Sequence, residues 1–218
     1  KKNILDTLIF LLLGGLSSLS LPPFNFFFIN FLTLSIFFFL IFKKLDLKLN
    51  KKFFFYYGWL FGFGYFSTNL NWVTISLTFD QNFNFLIPIA LVLIPAFLAL
   101  FYGSATLIFY LFKIKNLISS FFLFSLLFGL VEFLRGNILT GFPWNLIIYS
   151  LSEKLGFVGI ISIIGTYSLN LFLFSFYSAP AIYFLKKSKK DILICFFILL
   201  MPILFMLFSS HNKKFFLD

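Results

Sequence analysis

Long apolar stretches alternate with short clusters of lysine, asparagine and proline along the whole of this chain. A bilayer's hydrocarbon core of roughly 30 Å requires about 20 apolar residues per helix, with about 17 to 25 tolerated. Seven stretches meet that demand: residues 4–21, 24–42, 53–70, 85–112, 117–134, 155–185 and 192–208. The pattern therefore predicts an all-α polytopic membrane protein with seven transmembrane helices. The fourth and sixth stretches are long enough to tilt or bend, and Pro88 and Pro95 each remove a backbone donor from the fourth. Residues 136–152 are too short and interrupted to span, and predict a loop that dips partway into the membrane.

Composition sharpens this picture. Of 218 residues, 61% are hydrophobic and 11% charged, too few charges to clothe a water-soluble globule. The forty phenylalanines carry so little contrast that none of them locates a site by itself. The net charge of +10 sits in lysine clusters between apolar runs, where topology and anionic headgroups account for it better than nucleic acid does. With the N-terminus in the cytoplasm, 13 of the 17 basic residues fall inside, as the positive-inside rule requires. Seven crossings then bring residues 209–218 out on the far, periplasmic face, which divides the chain into a helical domain of 1–208 and the start of a linker. The first stretch, with Lys1 and Lys2 ahead of it and "LSSLSLPP" at its end, also has the shape of a secretory signal.

The polar residues that interrupt this pattern are the candidate chemistry. "VEFLRGNILTGFPWN", residues 131–145, holds the chain's only arginine. Glu132 and Arg135 are spaced i, i+3 at the outer end of the fifth span. Ionisable groups at membrane depth usually face a protein interior or a wet cavity and mark function; equally, Arg135 snorkels to the headgroups with Glu132 as a structural partner. Ser125, Gly129, Glu132 and Gly136 form a small and polar stripe that admits a neighbouring helix. In Thr140, Gly141, Phe142, Pro143 and Trp144, the glycine opens backbone angles closed to other residues, the proline fixes its own φ, and the tryptophan suits the membrane interface. Asn71 and Trp72 reach the same face from the end of the third span. Asn170 reads as glue between helices, and Gly58 with Gly62 as a packing pair. Cys195, mid-span and without an acid or base near it in sequence, reads as an inert thiol. No catalytic residue, metal ligand set or cofactor motif stands out in the chain.

The run from Glu132 to Asn145, with "NWV" at 71–73, "LPPF" at 21–24 and Asn170 in the same order, resembles the membrane part of the bacterial apolipoprotein N-acyltransferases. That resemblance implies an inner-membrane enzyme of lipoprotein maturation. It moves a fatty acyl chain from a phospholipid, through a cysteine thioester, to the amino group of a lipoprotein's N-terminal diacylglyceryl-cysteine. Such ping-pong chemistry needs an activated thiolate, a base and an oxyanion stabiliser, which the family carries as a Glu-Lys-Cys triad in a periplasmic nitrilase-like domain. These 218 residues hold no counterpart of that domain, so the chain alone is expected to be inactive, the chemistry being encoded downstream or on a separate polypeptide. Its own share is then a lipid-binding face built by Arg135, Trp144, Glu132, Gly141, Phe142, Pro143, Thr140, Asn71 and Trp72. A small transporter or lipid-handling scaffold without chemistry is the alternative.

Overall fold

The structure is a computed structural model that describes residues 4–47, 49–139, 141–152, 155–185 and 188–211. Among these the regular structure is entirely helical: α1 (Ile4–Ser18), α2 (Ile29–Lys44), α3 (Lys51–Asn69), α4 (Ile87–Phe112), α5 (Leu117–Asn137), α6 (Leu155–Ile164), α7 (Thr166–Ser178), α8 (Pro180–Leu185) and α9 (Lys189–His211). Short 3-10 segments occupy Asn71–Thr78, Gln81–Leu86 and Ile147–Leu151. Among the described residues two stretches, Gln81–Phe112 and Leu117–Asn137, are by length and composition long and apolar enough to cross a membrane.

Local chemistry explains where the helices begin and end. Asn50 and Asn116 precede α3 and α5 in extended conformation, and their side chains accept the Lys52 and Ser119 amides at 3.1 and 3.0 Å, satisfying donors that a helix start leaves open. Lys43 and Lys44 close α2, where the carbonyl end of the helix favours cations. Pro88 sits in the first turn of α4, a position that loses no hydrogen bond, while Pro95 lies inside a helix that continues through it.

The sixth apolar stretch departs from expectation. Instead of one span over 155–185 it forms α6, α7 and α8. Gly165, at φ +80°, separates α6 from α7, a backbone angle that glycine adopts without a Cβ penalty. Hydrophobicity alone carries no mark of such a break. The fifth helix also runs on to Asn137, so the expected loop starts at Ile138 rather than at Gly136. At the other limit α9 reaches His211, and 212–218 lie outside the described residues.

Packing is tightest where α3 meets α1 and α4. A Cβ on Gly58 would come within 2.1 Å of Thr106 Oγ1 and 2.4 Å of the Tyr102 carbonyl, so only glycine permits this α3–α4 approach. Aromatic rings fill the centre: Phe37 stacks on Phe61 at 4.1 Å and meets Phe124 and Phe128 edge-on. The phenylalanines thus divide between this interior and an exposed belt.

One end of the bundle is fixed by a buried polar network. Ser17 Oγ donates to Asn30 Oδ1 at 2.6 Å, and Asn30 Nδ2 donates to Ser20 Oγ at 2.8 Å. The Ser18 and Thr68 hydroxyls are 2.6 Å apart. The opposite end is tied by an ion pair from Lys44 to Asp6, at 2.8 Å, with Tyr57 donating to the same oxygen at 3.2 Å.

Candidate functional site

At the end of the bundle that holds Ser18 and Asn69, α5 carries Glu132 and Arg135 into the interior. Glu132 is fully buried and Arg135 is 2% exposed, so Arg135 does not snorkel outward. Its Nε donates to Glu132 Oε2 at 3.0 Å, and Nη2 reaches the same oxygen. Tyr102, from α4, donates to the other carboxylate oxygen. The remaining guanidinium nitrogen, Nη1, donates to the carbonyls of Phe142 and Trp144 at 2.6 and 2.8 Å. Phe66 and Phe142 flank the guanidinium, their ring centres 5.1 and 5.8 Å from its carbon. A buried charge is tolerable only when paired and hydrogen-bonded, and here both partners are.

The consequence is a braced loop. Residues 141–146 have no helical ladder, yet Asn145 and Leu146 are buried, as are Ile147 and Ile148 at the start of the 3-10 segment that follows. Buried irregular backbone needs substitute partners, and they come from every side. Phe142 N–H donates back to the Arg135 carbonyl at 2.9 Å. Tyr65 donates to the Asn145 carbonyl at 2.9 Å, and Asn145 Nδ2 donates to the Asn69 side chain. Asn170 Oδ1 accepts the Ile148 amide at 3.0 Å, so the residue expected to glue helices joins α7 to this loop instead.

Glycine serves the loop at two points. Gly141 has φ +72°, and a Cβ there would stand 2.6 Å from the Gly136 carbonyl. Gly136 in turn leaves room for the Tyr167 hydroxyl, which a Cβ would approach to 1.9 Å. The Ser125, Gly129, Glu132 and Gly136 stripe therefore faces α7 on its glycine positions, with Leu171 opposite Gly129, and faces the Tyr102 and Arg135 cluster at Glu132.

Outside this brace lies an open cavity of about 560 Å³ lined by Leu21, Pro22, Asn69, Trp72, Trp144, Asn145, Tyr149 and Ser152. Trp72 and Trp144 stand edge to face, 6.0 Å between ring centres, and both are about half exposed. Neither Glu132 nor Arg135 lines the cavity; they hold the backbone that presents Trp144 to it. Of the other expected site residues, Phe142 and Pro143 are partly buried in the braced loop, Pro143 accepting from the Tyr149 hydroxyl at 3.2 Å. Asn71 is exposed at the start of the 3-10 arm, its carbonyl accepting from Thr74. Thr140 lies outside the described residues. Cys195 is buried in α9, its Sγ donating to the Ala179 carbonyl at 3.3 Å.

Three residues that build the site were not singled out by pattern: Tyr65, Tyr102 and Tyr149. A tyrosine among forty phenylalanines is visible as the place where a buried ring brings a donor. That clue names Tyr65 and Tyr102 as candidates without giving their partners.

Comparison with known proteins converges on one group. Residues 13–179 match the family described as the apolipoprotein N-acyltransferase N-terminal domain. Proteins named apolipoprotein N-acyltransferase are similar to this chain: one from Rhodopseudomonas palustris is 37% identical over 180 residues, covering 79% of this chain and 32% of the relative. One from Rickettsia prowazekii is 35% identical over 185 residues, 84% of this chain and 36% of the relative. A third, from Brucella suis, is 40% identical over 129 residues, 57% and 24% of the two chains. The chain thus spans about a third of the length of the first two relatives.

Proposed function

We propose that this chain, which belongs to the apolipoprotein N-acyltransferase family and matches its N-terminal domain, forms the membrane part of an enzyme that N-acylates lipoproteins. In this reading it crosses a bacterial inner membrane seven times, α6 to α8 together making the sixth passage. The N-terminus is cytoplasmic, and the Arg135 end faces the periplasm. The loop over 138–152 is re-entrant. Its buried, non-helical backbone at Asn145 and Leu146 is of the kind that membranes accept only against protein or a wet cavity, which supports that placement.

The observation that carries the functional reading is the cavity behind Trp72 and Trp144. Its volume lies within the roughly 300–1,000 Å³ range of ligand sites, and its mouth is two indoles that combine a broad apolar face with one donor. Acyl chains of the phospholipid donor and of the diacylglyceryl lipoprotein rest there. Glu132, Arg135 and Tyr102 position the loop rather than touch the lipid. The thioester chemistry belongs to the part of the relatives that this chain does not align with, a nitrilase-like domain in the same polypeptide or a separate one. The 3-10 arm over Asn71–Leu86 lies against acyl chains on the same face.

The test uses a full-length relative with the positions of Trp72 and Trp144 changed to alanine, lipoprotein N-acylation being followed by mass spectrometry of the N-terminal lipopeptide. Loss of two aromatic anchors is expected to raise KM for the lipid on the order of tenfold while kcat holds. Acylation at the normal rate and KM in the double variant overturns the assignment.

A further inference from the structure

A second cavity, about 620 Å³, opens at the opposite end of the bundle and takes no part in the site above. It lies between the start of α3 and the end of α4, lined by Asn50, Lys51, Lys52, Phe53, Phe55, Tyr56, Leu107 and Leu111. Its walls are apolar and aromatic, and its two cations stand together at one rim. Lys51 and Lys52 are both exposed. The nearby acid Asp6 is already held by Lys44 and Tyr57, so it does not neutralise the pair.

The floor is fixed rather than fluid. Phe55 packs on Gly103, whose Cβ position is 2.9 Å from the ring, and Thr106 donates to the Phe54 carbonyl at 2.8 Å. Tyr110 donates to the Leu49 carbonyl at 3.3 Å, closing the helix pair just beyond. Below the lysines, Leu107 and Leu111 lead along α4 toward the exposed, wholly apolar surface of Ile108 and Leu100. A ligand that fits has a negative head at Lys51 and Lys52 and a hydrocarbon tail along α4.

We propose that this cavity is a binding site for one anionic phospholipid, its phosphate at Lys51 and Lys52 and one acyl chain between Phe55, Leu107 and Leu111. The charge complementarity at the rim selects the headgroup, since lysines at a membrane surface attract anionic lipid. The apolar walls select a lipid over a free anion. The site is separate from the acyl donor's cavity and is independent of the proposed transfer activity.

The purified 218-residue chain, delipidated in detergent and titrated with phosphatidylglycerol or phosphatidylcholine of identical acyl chains, tests this by native mass spectrometry. Phosphatidylglycerol is expected to be retained on the order of tenfold more tightly. The K51Q/K52Q variant abolishes that preference, whereas K189Q/K190Q, which removes the same charge at the start of α9, leaves it within about twofold. Leu107→Trp, which fills the cavity, lowers retention of both lipids. Equal loss in the two lysine pairs would mean diffuse charge attraction and overturns the site. Displacement of the lipid by an equal concentration of glycerol phosphate would make it a soluble-anion site and overturns it too.

Discussion

Two segments at the same end of the bundle solve the problem of irregular backbone in opposite ways. The loop over 141–152 is buried at residues 145–148, 150 and 151 and is hydrogen-bonded to distant helices: Arg135 of α5 and Tyr65 of α3 donate to its carbonyls, and Asn170 of α7 accepts its Ile148 amide. The arm over Asn71–Leu86 has no buried residue, and its hydroxyls bond only to their own turns, Thr74 to Asn71, Ser76 to Val73 and Thr78 to Ile75. Phe79 on the arm is 86% exposed, and Phe85 and Ile75 are exposed too. The first segment is held in shape by long-range polar contacts; the second closes its hydroxyls on its own turns and leaves its apolar side chains exposed.

The comparison fails first at Glu132 if the loop is not braced as described. Glu132→Ala leaves the Arg135 charge buried without its carboxylate, and removing one partner of a buried pair costs about 3–5 kcal/mol. Denaturation in mixed micelles is expected to show that loss, with α4, α5 and the loop uncoupled. A cost below about 1 kcal/mol would mean that Arg135 finds water or lipid instead. Tyr102→Phe keeps the ring and removes one hydrogen bond to a charged oxygen, worth about 1.5–3 kcal/mol. Asn170→Ala is smaller: it strands the Ile148 amide inside the protein, for about 1–3 kcal/mol at most, and hydrogen exchange at that amide is expected to accelerate. None of the three should act on the arm.

Sequence reading located the brace but not its targets. Glu132 and Arg135 were legible because charges are scarce in an apolar chain, and their i, i+3 spacing places them together on any helix. Phe142 and Trp144 receive Arg135 through carbonyl groups, which every residue carries, so nothing in their side chains announces the contact. The bundle's first five helices lie close to the apolar stretches that suggest them, α5 starting at Leu117 and α4 ending at Phe112 as read from hydropathy. The division of 155–185 escaped because the few polar residues after Gly165 (Thr166, Tyr167 and Ser168) leave the stretch apolar enough that a bent and a straight helix read alike. The arm escaped for a related reason: "NWVTISLT" alternates in no clean period, and nothing in its hydroxyls announces the local carbonyls they bond to.

The smallest effect on stability, and the sharpest test of the contrast, lies on the arm itself. Phe79 is nearly free of contacts within the protein, so Phe79→Ser is expected to change stability by no more than about 0.5 kcal/mol. What the substitution alters is the arm's preference for hydrocarbon, and that calls for a different readout. With Cys195→Ser removing the chain's single thiol, Phe79→Cys accepts a spin label whose collisions report depth in lipid vesicles. Contact with dissolved oxygen, which concentrates in hydrocarbon, is expected to exceed contact with a water-soluble nickel chelate. A label placed at Asn145, buried in the brace, should be shielded from both. If the label at position 79 instead meets the chelate freely, the arm stands in water, and its locally closed hydroxyls reflect 3-10 geometry alone rather than an accommodation to lipid.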